Sequence, residues 1–228
     1  MHRKLLIALC GAVLALAALF ASGGFAAAAG TSVVVRVEGL KKTLLAPKRV
    51  KTTGPAVSKD GHSCSGSSGA GALNRGTHGH WSGKWFSGLG IEVYTILGET
   101  NEYSTTHSYW EVFVNNVASL GVCSITLHKG DQLLLAAVPD TGTEYPLGES
   151  APKTVKVGHM LKVKVVGYGA SGKAKPLAGA TVKLGSKTVK TNSHGVASLK
   201  PTKAGKLIVQ ASDKGWIRAA PLSVRVTP

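Results

Sequence analysis

In the last third of the chain, apolar residues alternate with basic or small polar ones at a period of two. The runs are Val155-Lys-Val157, Leu161-Lys-Val-Lys-Val165, Val182-Lys-Leu184 and Leu222-Ser-Val-Arg-Val226. A period of two sends one set of side chains to each face of a strand, and a helix cannot gather it on one side. Turn residues interrupt the pattern at 167–172, 177–179, 192–195, 203–205 and 213–215. Short, half-buried strands at that spacing predict an all-β sandwich over residues 153–228.

The outward residue is most often lysine, so charge follows the strand pattern. Residues 151–228 hold thirteen Lys and two Arg against one acid, Asp213, whereas residues 31–150 hold ten bases and ten acids. Lys156, Lys162, Lys164 and Lys183 stand at the outward positions. They form either a solvated face that keeps edge strands from pairing or a field that attracts an acidic polymer. With a single acid among them, anionic cell-envelope polymer is the expected partner. The bases are Lys rather than Arg, and few aromatics besides Tyr168 and Trp216 lie among them, so no nucleic acid is expected.

The chain begins with a basic Met1-His-Arg-Lys4, an apolar run over 5–20 and a small-residue tail. This predicts a signal peptide over 1–29 and a secreted, extracellular or cell-wall-associated protein. The run is short for a membrane span, and no second one follows. Export leaves Cys64 and Cys123 in an oxidising compartment, where a disulfide is expected. Residues 139–152 hold three prolines, two glycines and no hydrophobic period, and read as a linker.

Residues 31–138 mix element types. Small residues around Ala70 and Leu73 suggest a short helix within 67–76, and residues 91–97 and 109–115 read as strands. Alternation places Tyr109, Glu111 and Phe113 on one face and Trp110, Val112 and Val114 on the other. Trp81 and Trp85 fall in a Gly/Ser-rich stretch read as a loop. There each ring either packs into the core or, with Tyr103 and Tyr109, forms a stacking surface for a ligand.

The order of pieces here resembles the domain at the C-terminus of transcobalamin and intrinsic factor, which also occurs in bacterial secreted proteins. The pieces are Val33-Val-Val-Arg-Val-Glu-Gly39, Cys64 followed by Ala72-Leu73, and Gly79-His-Trp81. They continue with Gly98-Glu99, Tyr109-Trp110 before Val114-Asn115, Gly121-Val-Cys123, and Gly130-Asp131 before a last apolar strand. The resemblance implies an α+β fold of the β-grasp type over 31–138 and a soluble, corrinoid-like ligand. The larger helical domain of those carriers has no counterpart here. Pro176-Leu-Ala-Gly-Ala-Thr-Val182 and Thr191-Asn-Ser-His-Gly195 resemble bacterial immunoglobulin-like and carboxypeptidase-regulatory-like surface modules. Their usual turn aspartate is Asn192 here, which argues against a turn-bound cation. With only Asp213 as an acid in the sandwich, no isopeptide bond is expected.

Catalytic and cofactor motifs find no support. Gly167-Tyr-Gly-Ala-Ser-Gly172-Lys173 approaches a phosphate-binding loop, but Ala174 replaces the Mg²⁺-binding hydroxyl, and Pro176 with no following helix makes it a turn. His62, His78 and His80 read as exposed loop histidines rather than a zinc set. The expectation is a non-enzymatic binding protein without metal or cofactor. The alternative is a structural or adhesive surface protein whose partners are protein or polysaccharide.

Overall fold

The computed structural model describes residues 31–228, and the expected leader at 1–29 lies outside the described residues. The first half opens with an antiparallel hairpin, β1 (Ser32–Glu38) and β2 (Thr43–Lys51), then a short one, β3 (Val57–Lys59) and β4 (His62–Cys64). Helix α1 (Gly69–Gly76) follows, then a three-stranded sheet of β5 (Trp81–Phe86), β6 (Gly90–Ile96) and β7 (Glu99–Thr100). After a single helical turn, α2 (Tyr103–Thr106), come β8 (Ser108–Val114), β9 (Val117–Ser119) and β10 (Gln132–Pro139). The main sheet runs β2-β1-β10-β8-β9, with β10 parallel to β1 and the other pairs antiparallel.

Helix α1 is made of small residues because backbone crowds it. A Cβ on Gly71 would lie 2.1 Å from the Gly66 carbonyl oxygen, and one on Gly69 2.9 Å from that of Val122. Ser68 caps the helix by accepting the Gly71 N–H at 3.3 Å. The Gly69 and Ala70 N–H groups donate to the carbonyls of Ile125 and Val122. Donors that a helix start leaves unpaired are thus satisfied by the chain around Cys123, which the Cys64–Cys123 disulfide ties back to β4.

The second half is the expected all-β sandwich. Its strands are β11 (Tyr145–Ser150), β12 (Thr154–Lys156), β13 (Leu161–Tyr168), β14 (Ala174–Pro176) and β15 (Thr181–Leu184). They continue with β16 (Lys187–Lys190), β17 (Val196–Leu199), β18 (Gly205–Ser212), β19 (Trp216–Ile217) and β20 (Leu222–Thr227). One sheet runs β14-β13-β11-β19 with β17 also on β13, and the other runs β12-β20-β18-β15-β16. Leu161, Val163, Val165, Val182, Val209 and Val224 fill the space between them. Asn192 accepts the N–H groups of His194 and Val196 at 3.0 Å each, so its side chain closes the turn.

Residues 139–152 are not a free linker. Pro146 and Leu147 are buried, and β11 pairs antiparallel with β13. The segment lacks hydrophobic period because only these two apolar residues are fully buried, and Pro146 within the strand hid it.

The main sheet of the first half is buried on both faces. Val33, Val35, Val37, Leu133 and Leu135 pack towards α1 and β6. From the opposite face Phe113, Leu134, Ala136 and Val138 form a cluster with Ile217 of the sandwich, flanked by Tyr109 and Tyr145. This explains why 133–138 reads as a continuous apolar run rather than an alternation. A polar seam borders the cluster. Glu38, 1% exposed, shares the single hydroxyl proton of Thr43 between its two oxygens, at 3.0 and 2.9 Å, and lies 3.4 Å from Arg36 Nη1. Arg218 Nε approaches it to 3.3 Å, an ionic contact whose angles do not make a hydrogen bond. Arg218 also donates to the carbonyls of Gly39 and Leu40, and Gln210 donates to Thr43. Among the described residues no helix is long and apolar enough to cross a membrane.

Candidate functional site

The two tryptophans expected in a loop lie on strand β5, where Trp81 pairs with Ile96 and Trp85 with Ile91. Tyr94 is left over at a bulge opposite Ser82 and Gly83, which returns Ile96 to the face of Ile91 and Val93. Trp81 is 4% exposed; its Nε1 donates to Asn74 Oδ1 at 3.0 Å, and Lys59 Nζ lies 5.0 Å from its ring centroid. Trp85 is half-buried, stacked on His62 with centroids 4.2 Å apart and planes 9° from parallel. Trp81 is therefore core, and the face of Trp85 that could stack is occupied. The glycines and serine around them suggested a loop, but Gly83 is where the two strands approach closely: a Cβ there would lie 2.2 Å from the Glu92 carbonyl oxygen.

Tyr103 and Tyr109 come together without the tryptophans. Both line a groove of roughly 350 Å³ between β6 and β8. Residues 108–111 of β8 pair with β10 alone, since β9 reaches only Val112, Phe113 and Val114. Residues 91–93 of β6 likewise pair only with β5. The groove thus lies between two strand edges, with Trp110 and Val93 in its wall. Its rim is apolar and exposed: Leu120 at 82%, Leu89 at 60% and Tyr103 at 59%. Burial pushes the Glu111 carboxyl up, opposed by its hydrogen bond with Tyr109. Leu89 and Leu120 sit beside turn glycines, and nothing in their sequence neighbourhood marks them as exposed.

All four expected polymer-binding lysines are exposed, but they occupy two faces. Lys162 and Lys164 belong to the β13 sheet. Lys156 and Lys183 belong to the other sheet, whose outward positions also include Lys190, Lys206 and Arg225. Lys206 lies directly opposite Arg225. None of the five strands of that sheet contains an Asp or Glu. His78 Nε2 lies 2.8 Å from Lys48 Nζ, and among the described residues no three His, Cys, Asp or Glu side chains gather to hold a metal.

The sandwich does contain an acid with an enclosed carboxyl oxygen, contributed by the strand read as linker. Glu149 pairs in register with Val165, and its Oε2 accepts the Ala211 N–H at 2.6 Å while Oε1 is enclosed without a partner. The register of β18 against β20 ends at Val209 and Leu222, so Ala211 has no partner from β20, and the carboxyl takes that place. Burial pushes Glu149 up to about 7, against the pull of the Ala211 and Leu222 N–H groups and of Arg36. Drawing the domain boundary after this residue concealed it.

No protein-family model matches the chain, and no curated protein does. Among solved structures, a CARDB domain from Pyrococcus furiosus, described as in complex with di-metal ions, matches 36% of this chain and 86% of that one. The identity is 18% and the TM-score 0.23. A likeness that faint carries no argument about this chain.

Proposed function

We propose that the chain is an exported, non-enzymatic binding protein of the bacterial cell envelope. Its lysine-faced, immunoglobulin-like half associates with anionic surface polymer, and its first half contacts a soluble ligand. The observation that carries this reading is the outer face holding Lys156, Lys183, Lys190, Lys206 and Arg225 with no carboxylate on the same strands. Like charges directly opposite, as at Lys206 and Arg225, destabilise a sheet, and a bound polyanion offsets that cost. Retention of residues 31–228 on immobilised polyphosphate is the test. Lys206→Gln with Arg225→Gln should elute at clearly lower salt than the parent. Elution unchanged by the double variant, or insensitive to salt, ends the polymer reading.

The strand order β2-β1-β10-β8, with the parallel pair central and α1 across one face, supports a β-grasp module related to the transcobalamin C-terminal domain. In this reading the ligand enters the groove beside Tyr103 and Tyr109, and the corrinoid class follows from the resemblance. Trp110 lies in that groove, so its emission reports occupancy. Saturable quenching by cobalamin or cobinamide, corrected for their absorbance and lost in Leu120→Ser, is expected. A flat titration removes the ligand half and leaves a structural, adhesive surface protein.

A further inference from the structure

The two halves enclose a second cavity, of roughly 390 Å³, which neither the groove nor the cationic face uses. One wall is the sandwich-facing side of β1 and β10, with Arg36, Gln132 and Leu134; the other is β11 and β13, with Lys164, Val166 and Tyr168. Arg36 is only 8% exposed. Its Nη1 is shared by Glu38, at 3.4 Å, and the Arg218 carbonyl, at 3.1 Å, while its other nitrogens have no partner among the described residues. The side chains of Gln132, Lys164 and Tyr168 likewise make no hydrogen bond among the described residues; Gln132 engages only its backbone N–H and carbonyl. Gly148 allows this: a Cβ on it would lie 2.8 Å from the Tyr168 ring, so the ring lies across β11 with its hydroxyl free.

Each of the free polar groups can donate a hydrogen bond, and two of them, Arg36 and Lys164, are cationic and can only donate. The one acid in the wall, Glu149, is held by Ala211 and is pushed up to about 7 by burial, so near neutral pH it opposes an anion only partly. Apart from Asn116 and Ser150, the rest of the wall is apolar, including Val34, Leu134, Val166 and Leu222. A bare inorganic anion would leave those side chains uncovered, and a neutral hydrocarbon would strand the donors.

We propose that this cavity binds a small organic carboxylate with a hydrocarbon body. Arg36, Lys164 and the Tyr168 hydroxyl take the anionic end, and Val34, Leu134, Val166 and Leu222 cover the apolar end. The site needs both halves of the chain and none of the residues of the first-half groove.

Calorimetric titration of residues 31–228 with sodium benzoate at fixed ionic strength tests it, with methyl benzoate and inorganic phosphate as comparators. Benzoate should bind once per chain, and each comparator should bind at least about tenfold more weakly. Lys164→Gln and Tyr168→Phe, which remove polar ends without touching buried packing, should together weaken benzoate about tenfold or more. Lys183→Gln, on the opposite sheet, should leave it unchanged. Absence of saturable heat, equal binding of the methyl ester, or indifference to the Lys164→Gln/Tyr168→Phe pair overturns the proposal. Arg36→Gln should abolish binding while retaining the parent's circular dichroism. If Arg36→Gln does not fold, the Lys164/Tyr168 pair decides.

Discussion

Glu149 should make the protein less stable as pH rises. Its carboxyl lies inside the sandwich with one oxygen unpartnered, and burial lifts it from the ordinary 4.5 to about 7. The folded state therefore holds the proton more tightly than the unfolded chain does. The stabilisation is complete below about pH 4.5, where both states are protonated, and is lost as pH rises through about 7. The gap between 4.5 and about 7 corresponds to about 3 kcal/mol. Glu149→Gln copies the neutral form, keeping an oxygen for the Ala211 N–H, and should not show this loss. Urea unfolding of both proteins from about pH 4.5 to about pH 8.5 measures the difference. The two stabilities should coincide at the acid end and separate by about 3 kcal/mol at the alkaline end, with the variant more stable. Glu38, Glu111 and Glu144 are also raised by burial, but they are common to both proteins and cancel. Parallel pH profiles would refute the reasoning and place Glu149 in contact with water.

The Cys64–Cys123 bridge closes a loop with a separation of 59 residues, so replacing both cysteines by serine should cost about 4 kcal/mol in the urea midpoint analysis. A loss well below that would mean the unfolded chain is already compact. At Gly167 a Cβ would lie 2.5 Å from the Trp216 ring. Gly167→Ala should therefore destabilise by about 1–3 kcal/mol and shift Trp216 emission, and an unchanged melting temperature would show that the ring has room to move. Ser68→Ala removes the cap on α1 and should cost about 1 kcal/mol, read from thermal unfolding.

The sandwich was legible because its signal is local: each alternating run contains its own inside and outside, and β12, β13, β15 and β20 fall on the expected segments. The helix around Ala70 and the sides of β8 were legible for the same reason. What misled was context. Trp81 and Trp85 sit among glycine and serine, but one of those glycines marks a close strand pairing rather than a loop. Strand β11 carries Pro146 within it, and its burial depends on β13 and, far along the chain, β19. The sequence has no means of stating which sheet a lysine joins, so four outward lysines were read as one patch when they occupy two. The cavity beside Arg36 arises only where strands from both halves meet.

The sheet wedged between the halves also limits how this chain can be divided or recombined. Cutting it near residue 140 would wet Phe113, Leu134, Ala136 and Val138 on one fragment and Ile217 on the other. The first fragment would also keep Glu38 without Arg218. Fragments of that kind self-associate or aggregate, because the exposed patch is continuous and flat. Replacing the basic half with another sandwich would succeed only if the newcomer brought counterparts of Tyr145, Ile217 and Arg218. The two halves are thus constrained together: a change in the face that one presents to its surroundings must leave intact the face that it presents to the other.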